Sequence, residues 1–309
     1  MQFFIILLPI FCIFVVGYIA QKILNLDVAN LSKMSLYVLS PFLAFKAFYT
    51  HQLNSDYFFY LYYLFGLCLA LVVIVSIWCV YRKYTTSERC AMILSSCFMN
   101  NGNYGMPVLL VFFGTTGFDL GVIMMVLQQF VMSTIGIYYA VKGSAINDQV
   151  HVSEKDILKK VIRMPVIHGA FLGIIFQLYH IPLSKSIMSS VGMIGDSSIV
   201  IIMLILGMQL AKIKILQLDY AKITFALLTR MVISPIVAML LVYFLPISPV
   251  YKQILIVLAA MPSAANTTLL SVQFDTHPQL VSSATLISTI ISLITLPMVL
   301  WLVGTPIPA

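Results

Sequence analysis

This sequence predicts an all-α membrane protein: ten transmembrane helices in two inverted five-helix repeats, with helices four and nine broken where they cross. Three observations carry the prediction. The composition is 61% hydrophobic and 9% charged, with mean hydropathy +1.04, far from the roughly 25% charged residues of soluble domains. Apolar windows of about 20 residues, the length that crosses a bilayer, recur along the whole chain. Two of those windows are interrupted by Gly, Pro and polar residues at corresponding places in the two halves.

The windows are 2–21, 31–50, 57–80, 89–114, 120–141, 164–180, 187–211, 221–245, 251–274 and 279–303. The first resembles a signal peptide, but it has no basic residues ahead of it and is followed by Lys22 without an A-x-A cleavage pattern, so it reads as a span. Cys12, Cys68, Cys79, Cys90 and Cys97 fall in or beside apolar runs without C-x-x-C or zinc spacing. They read as reduced packing residues. Between spans five and six, Lys142 to Arg163 holds Ser153-x-x-Asp156 ahead of Ile157, Leu158, Val161 and Ile162, which predicts either a short surface helix or a solvated linker. The chain thus divides into a first repeat, 1–141, a cytoplasmic linker, 142–163, and a second repeat, 164–309.

The net charge of +7 does not point to nucleic acid, because the basic residues sit in short connections between apolar runs. Thirteen Lys and Arg fall in the connections after spans one, three, five, seven and nine, against Lys46, Lys185 and Lys252 on the other side. By the positive-inside rule both termini are expected outside a cell membrane. Sliding the chain on itself by 156 residues matches Pro9 with Pro165, Gly17 with Gly173, Gln21 with Gln177 and Phe118-Asp119 with Phe274-Asp275; at 155, Met106-Pro107 meets Met261-Pro262. With five spans per half, the second half enters from the opposite face, as in transporters whose interrupted helices mark the substrate site.

The first interruption is NNGNYGMPV, Asn100 to Val108; the second is MPSAANTTLL, Met261 to Leu270. Gly102, Gly105, Pro107 and Pro262 break the backbone ladder, and freed N–H and C=O groups persist at membrane depth only where protein or a water-filled site receives them. One reading is a broken helix at a binding site; the other is a proline kink with asparagines bonding neighbouring helices. On the first reading both breaks fall near the midplane. Pro107 starts a second half-helix, and Ser263, Asn266 or Thr267 caps the other. Two amino-terminal helix ends then face one spot, which suits an anion such as a carboxylate. Asn100, Asn101, Asn103, Tyr104, Ser263, Asn266 and Thr267 are the candidate substrate-binding residues. An asparagine amide can donate to a carboxylate and accept from a hydroxyl.

Ionisable residues inside spans are default functional candidates. Asp196 reads either as a proton-coupling or gating carboxylate or as a structural partner of Arg230 or of a nearby Ser or Thr. Lys46 reads as a snorkelling residue, and His168 as a packing residue. Gln128 and Gln129, adjacent in sequence, cannot both easily face the bundle interior. No H-E-x-x-H, G-x-S-x-G or P-loop motif occurs, and Gly195-Asp196-Ser197 lacks a base nearby. An enzyme, a metal site and a cofactor are therefore not expected.

NNGNYGMPV closely resembles the fourth-span signature of the auxin efflux carrier family, whose bacterial members are described as malate or malonate permeases. MPSAANTTLL resembles the ninth-span partner, and LYVLSPFLAF, Leu36 to Phe45, the second span with its Pro41. The resemblance covers essentially the whole chain. It implies ten spans, outside termini, inverted repeats crossing near Pro107 and Pro262 beside Asn103, elevator-type movement, and transport of small organic anions. One departure is Ser197, where the seventh span of the family carries a proline matching Pro41. The expected partners are a small organic anion and membrane lipid, not nucleic acid, with a homodimer left open. The alternative is a sodium- or proton-coupled carrier of the bile-acid-symporter or sodium/proton-antiporter type. Neither broken segment holds the carboxylate that ion antiport normally needs.

Overall fold

The computed structural model describes residues 2–50, 56–144, 165–212 and 219–305, and these are almost wholly helical. In chain order the helices are α1 (Gln2–Leu24), α2 (Val28–Met34), α3 (Ser40–Thr50), α4 (Asp56–Tyr81), α5 (Thr86–Ser96), α6 (Met106–Val131), α7 (Ile137–Lys142), α8 (Pro165–Leu178), α9 (Lys185–Lys212), α10 (Tyr220–Leu228), α11 (Ser234–Tyr243), α12 (Pro249–Ala259), α13 (Ala265–Phe274) and α14 (Pro278–Leu302). Among the described residues, five helical stretches are long and apolar enough to cross a membrane: Tyr57–Tyr81, Asn101–Lys142, Lys185–Lys212, Tyr220–Tyr243 and Pro278–Leu302. Leu8–Leu24, Pro165–Leu178 and Pro249–Ala259 are shorter apolar helices.

Among the described residues, four π-helical turns run directly into the helix that follows: Ser35–Leu39, Asn101–Gly105, Met132–Gly136 and Thr229–Ile233. Three of them have the same cause. Pro41, Pro107 and Pro235 each lie two residues beyond the turn, and a proline has no N–H and crowds the carbonyl four residues back. The residue before each proline donates five residues back instead: Ser40 to Ser35, Met106 to Asn101 and Ser234 to Thr229. The ladder widens by one residue and the helix continues.

The helices form two groups. In one, α1 crosses α9 and α3 crosses α8, with α9 also against α3; in the other, α4 to α7 pack with α10 to α14. Small residues let the first group approach closely. A Cβ on Gly17 would lie 2.2 Å from the Leu204 carbonyl oxygen, and one on Gly169 would lie 2.1 Å from that of Pro41. Across the groups, α3 touches α6, and α9 touches the Asn101–Gly105 turn.

Several expectations are corrected. The helix after the first interruption breaks at Gly114, whose φ of 62° suits glycine, and helical structure resumes directly after it rather than at residue 120. Asp196 does not pair with Arg230. Its carboxylate bonds Lys46 Nζ at 2.7 and 2.8 Å, so Lys46 is an ion-pair partner as well as a span-end lysine. His168 is exposed on α8 rather than packed. Cys12 is exposed, while Cys68, Cys79, Cys90 and Cys97 are buried and free. The surface helix expected near 153–162 lies outside the described residues.

Candidate functional site

α5 begins with a capping box, in which the Thr85 hydroxyl accepts from the Glu88 N–H while the Glu88 carboxylate accepts from the Thr85 N–H. It ends at Ser96, ahead of the asparagine run. α12 begins at Pro249 and ends at Ala259, ahead of Pro262. Between these ends the two interruptions meet as an antiparallel bridge, Met99 with Ser263. The Asn100 N–H donates to the Pro262 carbonyl at 2.9 Å, and the Ala264 N–H to the Phe98 carbonyl at 3.0 Å. The freed backbone groups of one break are thus received by the other.

Beyond the bridge the helices resume. Pro107 follows the Asn101–Gly105 turn, so the second half-helix starts at Asn101 and not, as expected, at Pro107. Gly105 lies against α12, since a Cβ there would come within 2.8 Å of Leu258 Cδ2. α13 starts from Ala264 with no side-chain cap, which corrects the expected capping by Ser263, Asn266 or Thr267. The bridge holds Ser263 in extended backbone, and its hydroxyl donates to the Ser95 carbonyl at 2.5 Å. Thr267 donates to the Ala264 carbonyl at 2.7 Å.

Asn100, Asn101, Gly102, Asn103 and Asn266 line one cavity of about 50 Å³, with Gln128, Gln129 and Met125 of α6 opposite. A hydrogen-bond chain fixes its amides. Gln128 Nε2 donates to the Met99 carbonyl, so Gln128 Oε1 must accept, and Asn101 Nδ2 donates to it at 2.5 Å. That orientation leaves Asn101 Oδ1 buried without a partner among the described residues; Asn100 Nδ2 is in the same position. A buried unpaired donor and a buried unpaired acceptor in one cavity mark a place for a polar guest. Among the described residues, no carboxylate or basic side chain lines it.

A throat of about 20 Å³ lined by Ser32, Ser35, Asn103, Gln209 and Asn266 adjoins the cavity. Ser32 and Gln209 also line a mostly apolar crevice of about 460 Å³ between α2, α9, α13 and α14. Asn103 and Asn266 stand at the junction.

The other sequence candidates do not gather here. Tyr104 is fully buried, bonds Ser292 at 2.7 Å and packs on Phe11 and Phe14, pointing to α14 and α1. Ser263 and Thr267 are buried in the crossing backbone and do not line the cavity. Asp196 on α9 pairs with Lys46 of α3, away from the lining. The sequence reading undervalued two residues. Gln128 orients the asparagines, and Arg230 is wholly buried and bonds carbonyls of both interrupted helices. The available signal for both was a polar side chain inside an apolar span.

The family model described as membrane transport protein matches residues 2–300. Two curated relatives are similar along the chain. An uncharacterized transporter of Methanothermobacter thermautotrophicus is 26% identical over 310 residues, covering 94% of this chain and 95% of the relative. Uncharacterized transporter MJ1031 of Methanocaldococcus jannaschii is 28% identical over 216 residues, covering 68% and 67%.

Proposed function

The chain belongs to the membrane transport protein family, the auxin efflux carrier-like family that its NNGNYGMPV segment resembles, and on that premise we propose a secondary carrier of small organic anions such as carboxylates. The observation that carries the reading is the cavity where the two breaks meet. It joins the amino-terminal turns of two half-helices to Asn100, Asn101, Asn103 and Asn266, with a buried donor and a buried acceptor left to bond a guest. Helix amino termini favour negative charge. A lining without carboxylates supports an anion over sodium or a coupled cation.

The reading takes the helices as ten crossings in two inverted repeats, with both termini outside the cell membrane. Two features support it. Gly17 and Gly173, matched at an offset of 156, play like parts: Gly17 meets the α9 backbone at Leu204, and Gly173 meets the α3 backbone at Phe45. Both second half-helices also end at a residue of positive φ, Gly114 in one half and Asp275 in the other. The crevice between the two groups supports alternating access by movement of one group against the other, and on the expected orientation it faces the cytoplasm.

The test is uptake of labelled malate, malonate, lactate and indole-3-acetate into proteoliposomes, with and without sodium and pH gradients. Saturable uptake of one acid, blocked by Asn103→Ala, supports the reading. Sodium or proton flux without uptake of any acid overturns it in favour of the ion carrier.

A further inference from the structure

The two helix ends on the far side of the crossing are held by one residue. Arg230 Nη1 donates to the carbonyl of Ser96, the last residue of α5, at 3.3 Å, and Nη2 donates to the carbonyl of Ala259, the last residue of α12. Nη2 also reaches Ser234 Oγ, and that hydroxyl donates to the same Ala259 carbonyl at 2.9 Å. The side chain is 0% exposed, and no carboxylate lies within ion-pair distance of it among the described residues. A guanidinium stays protonated under such conditions, so the crossing holds a resident positive charge.

Four helix ends meet here, two of each kind, and each carries about half an elementary charge. The two carboxyl-terminal ends together hold about one negative charge, which Arg230 cancels at hydrogen-bond distance. The two amino-terminal ends hold about one positive charge, which nothing in the cavity lining cancels. We infer that Arg230 is a positioning and charge-setting residue: it joins the carboxyl-terminal ends of both half-helices and leaves the asparagine cavity with a net charge of about plus one, so that the cavity takes a guest carrying a single negative charge. The inference rests on the carrier reading and narrows its substrate class to monoanions.

The independent sign that the amino-terminal ends serve a guest is the pair of unpartnered amide atoms, Asn100 Nδ2 and Asn101 Oδ1, on residues 5% and 1% exposed. Without Arg230 the partial charges at the crossing would nearly balance, and a neutral guest would compete.

The experiment uses three molecules of one shape and different charge at neutral pH: malonamide, uncharged; malonamate, singly negative; and malonate, doubly negative. Nitrate serves as an inorganic monoanion. Binding to the purified full-length protein is followed by calorimetry for wild type, Arg230→Lys, Arg230→Gln and Ser234→Asp. The last variant keeps Arg230 but replaces the Ser234 hydroxyl with a negative charge beside it, so it tests charge even where Arg230→Gln fails to fold. Wild type is expected to bind malonamate at least about tenfold more tightly than malonamide, and more tightly than malonate. Arg230→Gln and Ser234→Asp bring malonamate and malonamide to within about threefold, and Arg230→Lys retains the preference. An unchanged preference in folded Ser234→Asp, or tighter binding of malonate than malonamate by wild type, overturns the inference and leaves the organic-anion reading standing. Binding of nitrate alone, lost in Ser234→Asp, supports the charge assignment and overturns the organic-anion reading. Binding of no anion by wild type overturns both.

Discussion

The backbone amide of Asn100 donates to the carbonyl of Pro262 over 2.9 Å, so the break in one half of the chain is hydrogen-bonded to the break in the other. Neither break is tolerable alone at membrane depth, where each unsatisfied backbone group costs several kcal/mol. Together they satisfy each other at the bridge and leave side-chain amides and the amino-terminal turns of both half-helices to face the cavity.

Asn103 is the residue whose loss should separate binding from folding. It lines both the central cavity and the throat and is only partly buried. Asn103→Ala is expected to weaken binding of the transported acid about tenfold while stability changes by less than about 0.5 kcal/mol. Unaltered affinity in calorimetry would remove Asn103 from the site.

Gln128 acts differently, because it sets the orientation of Asn101. Gln128→Leu leaves the Met99 carbonyl and Asn101 Nδ2 without their present partner, at a cost of about 1–3 kcal/mol for buried unsatisfied groups. Asn101 is then free to turn over, so affinity should fall along with the melting temperature. A variant as stable as wild type would show that this chain does not hold the cavity in shape.

Asp196 was read as either a coupling group or a structural partner, and its ion pair with Lys46 favours the second role. The pair is partly exposed, at 31% and 47% of the two side chains, and such pairs contribute about 0–1 kcal/mol. Asp196→Asn is expected to transport normally and to keep whatever dependence on a pH gradient the wild type shows. Loss of that dependence would reinstate Asp196 as the proton carrier.

How much of this was legible in the sequence follows from the range of each interaction. The breaks at Asn100 to Pro107 and at Pro262 could be read because glycine and proline act on their own backbone. Their convergence on one cavity could be read because an offset of 155 places them at matching depth. The caps could not: Ser263 looked like a capping residue, but the bridge to Met99 turned its hydroxyl to Ser95. The same holds for Tyr104, whose neighbours Phe11, Phe14 and Ser292 come from distant helices. For Arg230 the sequence offers Asp196 as one possible partner, since opposite charges attract. In the fold, helix-end carbonyls lay nearer.

A last expectation concerns acid stability at the end of the molecule where α5 and α10 start. Lys222 Nζ lies 2.6 Å from Glu88 and 2.7 Å from Asp219, at a charged cavity of about 410 Å³ that also includes Asp275 and His277. Partial burial pushes the Glu88 carboxyl up, but hydrogen bonds from Lys222 and from the Thr85 N–H and hydroxyl outweigh it, so it titrates below its ordinary value. The hydrogen bond from Lys222 holds Asp219 low as well, against a smaller effect of burial. Both folded-state values lie below the unfolded ones, so the stability they contribute is present above the ordinary carboxylate range and is lost as pH falls through the lowered values. Glu88→Gln removes one of the two contributions together with the charged member of the capping box, at a cost of about 1 kcal/mol at neutral pH. Melting of the purified protein from neutral to acid pH should therefore fall less steeply in Glu88→Gln than in wild type, with the two curves converging at the acid end. Parallel curves would mean that Glu88 is no better bonded in the folded chain than in the unfolded one.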